Sequence, residues 1–354
     1  MAATATATAP PEGSGARTPR VYIAVLNWNG WGETIACLES VLRSDYADFR
    51  VVVCDNGSTD GSLEHLRAWL DGDLEAIPPA HPRVARHLRP PLRKPLDYQE
   101  LSRDEAEQGA PTGRNAPLVL IRNDANLGYA GGNNVALRYA MACGDADYVW
   151  VLNNDVIVAP EALARVVSRA DRDPGIGLCG STLLDMDDPD RVQALGGASF
   201  NPWLGTHRHL GAGRRDIPLN GKAVERRMHY VVGASVLVSR DWLHRVGLLC
   251  EDYFLYFEEI DWAVRGRGRM RLGYAPGSHV YHHQGASAGS PAAAAATDCL
   301  AIRNRLMFAR KRLPWAVPTV WLGLLGVLVN RIRRGQVDRV KPIVEIMFGR
   351  SRAA

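Results

Sequence analysis

Three short acidic segments are the part of this chain whose residue types and spacing best suit chemistry. They cover residues 54–58 with Asp55, 152–156 with Asp155, and 257–262 with Glu258, Glu259 and Asp261. The first two follow apolar runs that predict buried strands. Because the carboxyl ends of the strands form the ligand crevice of an open α/β sheet, we expect these segments to build one site. Such a site offers groups for a nucleotide, a metal ion and a proton.

The elements that must position these residues alternate between strand and helix through the first half of the chain. Apolar periodicity predicts strands at 21–26, 51–54, 117–121 and 148–152, with helices at 34–43, 62–70, 134–143 and 160–169. This alternation predicts an α/β fold with a mostly parallel sheet and helices on both faces. In the second half, residues 230–239 predict another strand and residues 292–312 a basic helix.

Two segments interrupt this pattern. Residues 1–19 are rich in Ala, Thr, Pro and Gly and predict a disordered tail before a domain over 20–312. Residues 73–116 hold seven prolines and many arginines with few aliphatic residues. They predict a loop insertion, flexible or only locally ordered.

Composition is ordinary for a globular enzyme, with 46% hydrophobic and 23% charged residues. The net charge of +4 is too small to imply nucleic acid as a partner. Six scattered cysteines without a C-x-x-C pair favour reduced thiols over a disulfide framework. The first residues lack the pattern of a signal peptide, so a cytoplasmic protein is expected.

Residues 313–354 form an apolar and basic C-terminal segment. Its uncharged stretch, 313–329, would span about 26 Å as a helix, which is shorter than the roughly 30 Å of a bilayer core. Arginines lie on both sides of it, and these favour contact with anionic headgroups over crossing. A membrane-surface or re-entrant segment is the first interpretation; a packed cover for the domain and a true span are the alternatives.

Seven short motifs, in order, resemble the family 2 glycosyltransferases, especially a bacterial rhamnosyltransferase-like branch. They lie at 25–30, 55–62, 126–134, 152–156, 232–235, 256–262 and 282–287. Each is weak alone, whereas the ordered set is specific. The resemblance implies a GT-A fold, in which a Rossmann-like nucleotide-binding sheet is continuous with an acceptor-binding half. The resemblance does not cover the tail, the insertion or about the last forty residues.

The resemblance assigns the nucleotide-sugar donor to polar residues and glycines at the strand ends. Asp55 beside Asn27 would accept hydrogen bonds from a base or ribose, although Asp55 alone also suits an Asx turn. The glycine-rich run 128–134 opens a helix, whose N-terminus favours a diphosphate; a simple glycine turn is the alternative. The full donor set is Asn27, Asn29, Asp55, Asn56, Asn126, Gly128, Gly132, Asn134 and Asn154.

Asp155 and His282 take the family's metal positions, with Mn²⁺ or Mg²⁺ as the implied cofactor. Such a cation neutralises a departing diphosphate. Asn153 stands where the family's D-x-D motif has an acidic residue. Its amide oxygen could serve as a ligand, directly or through water, but the departure leaves metal affinity open.

Glu259 matches the family's catalytic base, with Glu258 and Asp261 as its neighbours. Crowded carboxylates raise one another's pKa, which helps a base that works near neutrality. Acidic residues in the first turn of a helix also complement its dipole, which is the structural alternative for the group. Which of the three is the base stays open at the level of sequence.

The sequence therefore predicts a metal-dependent inverting glycosyltransferase. It would move a sugar, with rhamnose or another deoxysugar suggested by the branch, from a UDP- or dTDP-linked donor to a hydroxyl of a growing glycan or lipid-linked acceptor. Peripheral contact with the inner face of the cell membrane is expected, and no nucleic acid. The alternatives are a catalytically idle sugar-nucleotide or glycan-binding homologue and, less favoured, a sugar nucleotidyltransferase.

Overall fold

The computed structural model describes residues 17–109, 116–217, 220–283 and 291–350. Most of the predicted tail, residues 110–115 of the insertion and Ser287 of the last motif lie outside these ranges. The strands are β1 (Val21–Asn27), β2 (Phe49–Asn56), β3 (Tyr98–Ser102), β4 (Leu118–Asn123), β5 (Tyr148–Asn153), β6 (Val156–Val158), β7 (Ile176–Asp185), β8 (Val192–Leu195), β9 (Gly197–Asn201), β10 (Thr206–His209), β11 (Tyr230–Val231), β12 (Ser235–Ser239) and β13 (Arg271–His282).

The helices of the same ranges carry the connections between these strands. They are α1 (Trp31–Val41), α2 (Ser62–Asp71), α3 (Pro82–Ala85), α4 (Arg103–Glu107), α5 (Gly128–Cys143), α6 (Ala162–Asp171), α7 (Gly221–Glu225), α8 (Arg240–Arg245), α9 (Glu258–Gly266), α10 (Pro291–Arg312), α11 (Val317–Arg333) and α12 (Val340–Met347). The four strands and the helices predicted for the first half are present, with bounds that differ by a few residues.

One large sheet runs in the order β3-β4-β2-β1-β5-β12-β7-β13-β6, with β8 paired to β7. Strands β3, β4, β2, β1 and β5 are parallel, whereas β12 lies antiparallel between β5 and β7. A small antiparallel sheet has the order β10-β9-β11. The α/β prediction is therefore confirmed, and the parallel strands end together at one edge of the sheet.

Alternation along the strands produces a core on each face of the large sheet. In β1, Tyr22 and Ala24 belong to one buried cluster, which also holds the inner face of α5. Val21, Ile23 and Val25 belong to the other, with residues of α1, α2 and α6. Helices therefore cover both faces, as the sequence predicted.

The insertion at 73–116, predicted to be flexible or only locally ordered, contains regular structure that joins the main sheet. Residues 98–102 form β3, which pairs in parallel with β4 and extends the sheet by one edge strand. Helix α4 follows directly, capped by reciprocal hydrogen bonds between Ser102 and Glu105. The sequence did not reveal this edge strand. Only Leu101 of its five residues is buried, so the strand has no run of apolar residues.

The predicted strand at 230–239 is also interrupted. Its first two residues form β11 in the small sheet, and its last five form β12 in the large sheet. Residues 232–234 connect the two sheets, and this break places Gly233 beside the end of β5, where Asn153 N–H donates to Ala234 O.

The C-terminal helices α10, α11 and α12 share a separate apolar core. Val320 and Leu324 of α11 pack with Ile302 and Leu306 of α10 and with Ile343 of α12. This matches the packed-cover interpretation for the inner face of α11. Pro314–Arg333 is nevertheless long and apolar enough, by length and composition alone, to cross a membrane, and little of it is buried.

Candidate active site

The ends of β1 and β2 are joined by the side chains predicted to bind a donor. Asn27 Nδ2 donates to Asp55 Oδ1 at 2.7 Å and to Ser58 Oγ at 3.1 Å. Thr34 Oγ1 donates to Asn27 Oδ1 at 2.8 Å. Asn27 and Asp55 are almost fully buried. These residues therefore form a rigid polar floor at the strand ends.

Asn154 and Asn29 are attached to this floor. Asn154 Nδ2 donates to Thr34 Oγ1 at 3.1 Å, which connects the end of β5 with that of β1. Asn29 has a left-handed backbone, with φ of 50°, and its Oδ1 accepts from Thr59 N. The structure thus brings Asn27, Asn29, Asp55 and Asn154 together.

Other members of the predicted donor set are engaged in holding loops. Asn56 donates to Asn126 Oδ1 and Gly128 O, and accepts from Asn123 and from Leu127 N–H. Asn126 Oδ1 also accepts from Gly128 N–H. These hydrogen bonds shape the turn between β4 and α5. The side-chain polar atoms of Asn56 are therefore hydrogen-bonded within the protein, and they stabilise this loop.

Asn134 and the two glycines likewise make protein contacts. Asn134 donates to Leu249 O and Glu251 and accepts from Leu249 N–H. A Cβ at Gly132 would lie 2.4 Å from Leu26 Cδ1, and one at Gly128 would lie 2.4 Å from Phe254 O. Tyr129 N–H, at the start of α5, donates to Phe254 O at 2.6 Å. The protein chain itself thus uses the N–H groups of Gly128 and Tyr129, and diphosphate binding at this helix N-terminus stays a prediction.

Asp155 and His282 lie in contact, as their predicted shared role requires. Asp155 Oδ1 is 3.3 Å from His282 Nε2 and is buried without a hydrogen bond from the described residues. Asn153 Oδ1 is buried and unpartnered in the same way. Buried polar atoms normally have partners, so these oxygens suit an additional ligand.

Gln193 fixes the orientation of the His282 ring. Gln193 Nε2 donates to His282 O at 2.7 Å, and its Oε1 lies 2.8 Å from His282 Nδ1. Since Oε1 can only accept, a neutral ring carries its hydrogen on Nδ1 and directs the Nε2 lone pair towards Asp155. A carboxylate oxygen and an imidazole nitrogen fit Mn²⁺ well and Mg²⁺ less well.

The described residues contain no group of three or more His, Cys, Asp or Glu side chains that could hold a metal. A cation at Asp155 and His282 would therefore need further ligands from substrate phosphates and water, which is the usual arrangement for Mg²⁺ and Mn²⁺ bound with a nucleotide. The residues present fit such a shared site.

Glu258 and Glu259 begin α9; the Glu258 side chain is buried and the Glu259 side chain is half-buried. Burial raises the pKa of Glu259, and Gly233 N–H, which donates to its Oε1 at 3.1 Å, partly offsets this. Burial and then the charge of Glu259 raise the pKa of Glu258 well above its usual range. Raised pKa values of this kind are typical of groups that accept a proton near neutral pH.

Asp261 differs from its prediction as a neighbour of the base. Its carboxylate is fully buried and accepts from Arg265 at 2.8 Å, from Arg312 at 2.6 Å and from the Tyr253 hydroxyl at 3.3 Å. These partners occupy its oxygens and join α9 to α10. Asp261 therefore occupies an ion-pair cluster on the opposite side of α9's first turn from the Gly233 contact.

The site residues form one connected group. Asn153 N–H donates to Ala234 O, the neighbour of Gly233, and Gly233 holds Glu259. The charges of Glu259, Glu258 and Asp155 all act on Tyr129, whose pKa is raised chiefly by burial. Asp155 and the two glutamates therefore all lie close enough to Tyr129 for their charges to act on its hydroxyl group.

A cavity of about 490 Å³ opens beside Asp155 on the side of α1. Asn29, Trp31 and Glu33 line it from the β1–α1 connection, and Asp155 and His283 from the metal side. Ile77, Pro78 and Pro79 of the insertion form a further wall, which no motif predicted. Asp55 and Glu259 are not among its lining residues.

Sequence comparison places these features in a known family. The mixed α/β sheet carries polar residues at the carboxyl ends of its parallel strands. The sequence model of the family described as Glycosyl transferase family 2 matches residues 22–84 and 99–247, more than half of the chain. The chain belongs to this family, as its motifs predicted.

One curated relative is an N-acetylglucosaminyl-diphospho-decaprenol L-rhamnosyltransferase of Mycobacterium tuberculosis, strain H37Rv. It is 29% identical over 193 residues, which are 48% of this chain and 60% of the relative. The chain thus spans about three fifths of the length of that relative.

Two solved structures share the fold. The mannosyltransferase PcManGT from Pyrobaculum calidifontis, in complex with GDP-Man and Mn²⁺, has a TM-score of 0.51 and 16% identity over 94% of this chain and 87% of its own. GalNAc-T7 with UDP, GalNAc and Mn²⁺ has a TM-score of 0.53 and 14% identity over 83% of this chain and 48% of its own. The GT-A prediction is confirmed.

Proposed function

We propose that this protein is an inverting glycosyltransferase that uses a nucleotide-diphosphate sugar. The observation that supports the proposal is Glu259, a half-buried carboxyl group whose pKa is raised, held by Gly233 next to the residue that accepts from Asn153 N–H at the end of β5. The donor would lie over the strand ends, with Asn27, Asn29, Asp55 and Asn154 as its polar floor.

In the proposed reaction, Glu259 removes the proton from the acceptor hydroxyl. The hydroxyl oxygen attacks the anomeric carbon and forms the new glycosidic bond. The bond from that carbon to the diphosphate oxygen breaks, and its electron pair leaves with the nucleoside diphosphate. Attack opposite the leaving group inverts the anomeric centre, and the proton remains on Glu259.

Asp155 and His282 would hold a divalent cation, with Asn153 Oδ1 as a further oxygen nearby in sequence. When bound, this cation would supply positive charge against the departing diphosphate. Gln193 keeps the His282 ring in the orientation that this role requires. The unpartnered, buried Asp155 Oδ1 supports the assignment.

The relative supports a proposal for the donor and the acceptor. The name of the relative describes rhamnosyl transfer to a sugar carried on a lipid diphosphate. We propose a deoxyhexose donor of the dTDP- or UDP-linked type and a lipid-linked glycan acceptor, which would place the protein at the cytoplasmic face of a membrane. Thermal shifts with UDP, dTDP and GDP, with and without Mn²⁺, test the donor.

Replacement of the base tests the chemistry. Glu259→Gln should lower turnover by about 10²- to 10⁴-fold while nucleotide binding stays intact, because the amide cannot accept the proton. Glu345→Gln on α12, outside the site, is the matched control. Unchanged turnover in Glu259→Gln would contradict the assignment; nucleotide binding without turnover in the wild type would favour a binding homologue.

Chelation tests the cation separately. Excess EDTA should abolish transfer, and added Mn²⁺ should restore it. Asp155→Asn should raise the Mn²⁺ concentration needed for half-maximal activity. Full activity of the wild type in excess chelator would refute the metal proposal and leave the base unaffected.

A further inference from the structure

The outer face of α11 and the tip of the β9–β10 hairpin form one exposed apolar surface. We define this C-terminal apolar surface by Trp203, Leu204, Trp315, Leu322, Leu325, Val329 and Ile332. Leu322 is 58% exposed and Ile332 is 55% exposed. The four residues of α11 follow a helical spacing of three or four, so they share one side of the helix.

This surface is continuous across two elements that are distant in sequence. The rings of Trp203 and Trp315 contact edge to face, with centroids 4.6 Å apart. Thr319 Oγ1 donates to Trp203 O at 2.6 Å. A Cβ at Gly323 would lie 3.4 Å from Leu204 Cδ2, so the hairpin tip lies directly on α11. The hairpin therefore places two large side chains, Trp203 and Leu204, beside this face of the helix.

The opposite face of α11 is already occupied. Val320 and Leu324 are fully buried against α10 and α12. Arg331 pairs with Asp298 of α10 at 2.6 Å on this inner side. A helix that crossed a bilayer would have to give up this packing and this ion pair. The structure therefore favours a helix that lies on a membrane over one that spans it.

The basic residues near the C-terminal apolar surface favour an anionic partner. Residues 317–330 of α11 carry no charge, whereas Arg310 precedes the helix and Arg333 and Arg334 end it, all three exposed. Anionic headgroups complement basic residues at the rim of an apolar patch, at about 1 kcal/mol each. Tryptophan is enriched at the level of the headgroups, where Trp203 and Trp315 would lie.

A second copy of the chain suits this surface less well. Arg333 and Arg334 lie at the C-terminal end of α11 and Arg310 lies before its start, so parallel pairing of two such helices would bring the C-terminal arginines together, and antiparallel pairing would bring them towards Arg310. Like charges at an interface are unfavourable. The apolar area and its charged rim are thus explained better by a lipid partner.

We propose that the C-terminal apolar surface docks the protein on anionic phospholipid, with α11 parallel to the bilayer plane. The proposal deepens the proposed function, on which it rests for the lipid-linked acceptor. Helix α10 connects the two parts of the molecule, since it packs on α11 and holds the turn before Glu258 through Asn304. Docking would therefore hold the active site at a fixed height above the membrane.

Vesicle co-sedimentation tests the surface without any transfer reaction. Full-length protein should sediment with vesicles of equal parts phosphatidylglycerol and phosphatidylcholine, and more weakly with phosphatidylcholine alone. Leu322→Asn/Leu325→Asn should lower the affinity for both vesicles more than tenfold, because two leucines lose their burial in the interface. Met141→Asn, an exposed apolar residue on α5, is the matched control.

A charge-reversal pair tests the basic rim. Arg333→Glu/Arg334→Glu should lower affinity for the anionic vesicles about tenfold or more and leave binding to phosphatidylcholine nearly unchanged. Arg226→Glu/Arg227→Glu, two exposed arginines after α7, is the matched control. All variants should melt within a degree or two of the wild type, since the changed side chains are exposed.

The outcomes separate this inference from the proposed function. If the wild-type protein transfers sugar to a soluble acceptor but does not sediment with vesicles, the membrane-docking proposal is contradicted and the proposed function is not. Vesicle binding without turnover of any nucleotide sugar would contradict the proposed function alone. A dimer that Leu322→Asn/Leu325→Asn dissociates, without vesicle binding, would assign the surface to a second copy. Resistance to extraction by high salt and carbonate would indicate a spanning helix and refute the parallel orientation.

Discussion

The proposed base depends on a single glycine. Gly233 N–H donates to Glu259 Oε1, and a Cβ at this position would lie 2.4 Å from the same oxygen. Tyr129 Oη donates to Gly233 O at 2.8 Å. The tyrosine, which begins α5, thus fixes the glycine that holds the carboxyl group. Tyr129 is a positioning residue for the base.

Tyr129→Phe should lower kcat about fivefold to tenfold, because one hydrogen bond that orients Gly233 is lost. The pH at which kcat is half-maximal should also shift, since the Gly233 contact affects the pKa of Glu259. Because a raised pKa keeps the carboxyl protonated in mild acid, the wild-type rate should rise as pH increases through that pKa. Steady-state kinetics between pH 5 and 8 measure both effects.

Tyr98→Phe on the edge strand β3 is the control for loss of a hydroxyl. A fall in melting temperature without any change in kcat or in the pH midpoint would show that Tyr129 is only structural. A changed KM for the donor with an unchanged kcat would contradict its action through the base.

Sequence motifs located the polar residues of the site, but they did not separate their tasks. Asp155 and His282, 127 positions apart, were paired by family resemblance and lie in contact. Asn134 belongs to the same motif set and instead holds Leu249. An amide side chain can hydrogen-bond a ligand or a loop carbonyl equally well. The residue type alone therefore does not show whether an asparagine binds the donor or stabilises a loop. Gln193 had no motif, and only the fold brings it to His282.

At the scale of elements, α10 supports the turn that precedes the base. Phe254, Tyr256 and Phe257 have positive φ, which side chains other than glycine rarely adopt. Asn304 of α10 is buried, and its Nδ2 lies within hydrogen-bonding distance of the carbonyls of Tyr253, Leu255 and Tyr256. This contact stabilises a turn that the local sequence would not favour.

Asp261 is the second connection between α9 and α10, and its replacement separates structure from catalysis. Asp261→Asn should lower the free energy of unfolding by about 1.5–3 kcal/mol, because charged hydrogen bonds to Arg265 and Arg312 are lost. The midpoint of the pH–rate profile should stay in place. Urea unfolding and a pH–rate profile of the same variant measure the two quantities.

Asp241→Asn provides the control, because Asp241 forms an exposed pair with Arg245 and such pairs contribute little. If the pH midpoint of Asp261→Asn moves while its stability does not, Asp261 belongs to the catalytic group after all.

Strands with uninterrupted apolar runs were predictable from sequence, and strands at edges were not. Strands β1, β2 and β5 are buried on both faces, so their apolar residues are consecutive. Strand β3 has one neighbour and mostly polar residues, which gave no periodic signal. The break between β11 and β12 was missed because Val232 and Ala234 continue the apolar pattern through the crossing between sheets.

At the scale of the whole molecule, residues 85–98 fall between the two stretches that match the family. They are nevertheless attached to the body of the domain. Leu92 N–H donates to Glu39 Oε2 at 3.3 Å, and Leu96 N–H donates to Leu70 O at 2.8 Å. Lys94 Nζ lies 3.2 Å from the centre of the Trp69 ring. This segment is a packed addition that precedes the edge strand β3.

Lys94 makes this attachment dependent on pH. Burial lowers the pKa of Lys94 to about 8, with the charge of Glu39 acting in the opposite direction. An unfolded lysine titrates near 10.4, so between about pH 8 and 10 the unfolded chain binds more protons than the folded one. The contribution of Lys94 to the free energy of unfolding should therefore grow as pH rises through this window and be lost as pH falls through about 8.

Lys94→Met keeps the aliphatic contact with Trp69 and removes the titrating group. The free energy of unfolding of the wild type, minus that of Lys94→Met, should increase from pH 7 to pH 10 in urea titrations. Lys341→Met, at an exposed position of α12, should show a difference that is flat with pH. A difference for Lys94→Met that is flat or decreases over this range would contradict the prediction. It would mean that Glu39 and Trp69 stabilise the ammonium more than burial destabilises it. The insertion would then be held by an ion pair.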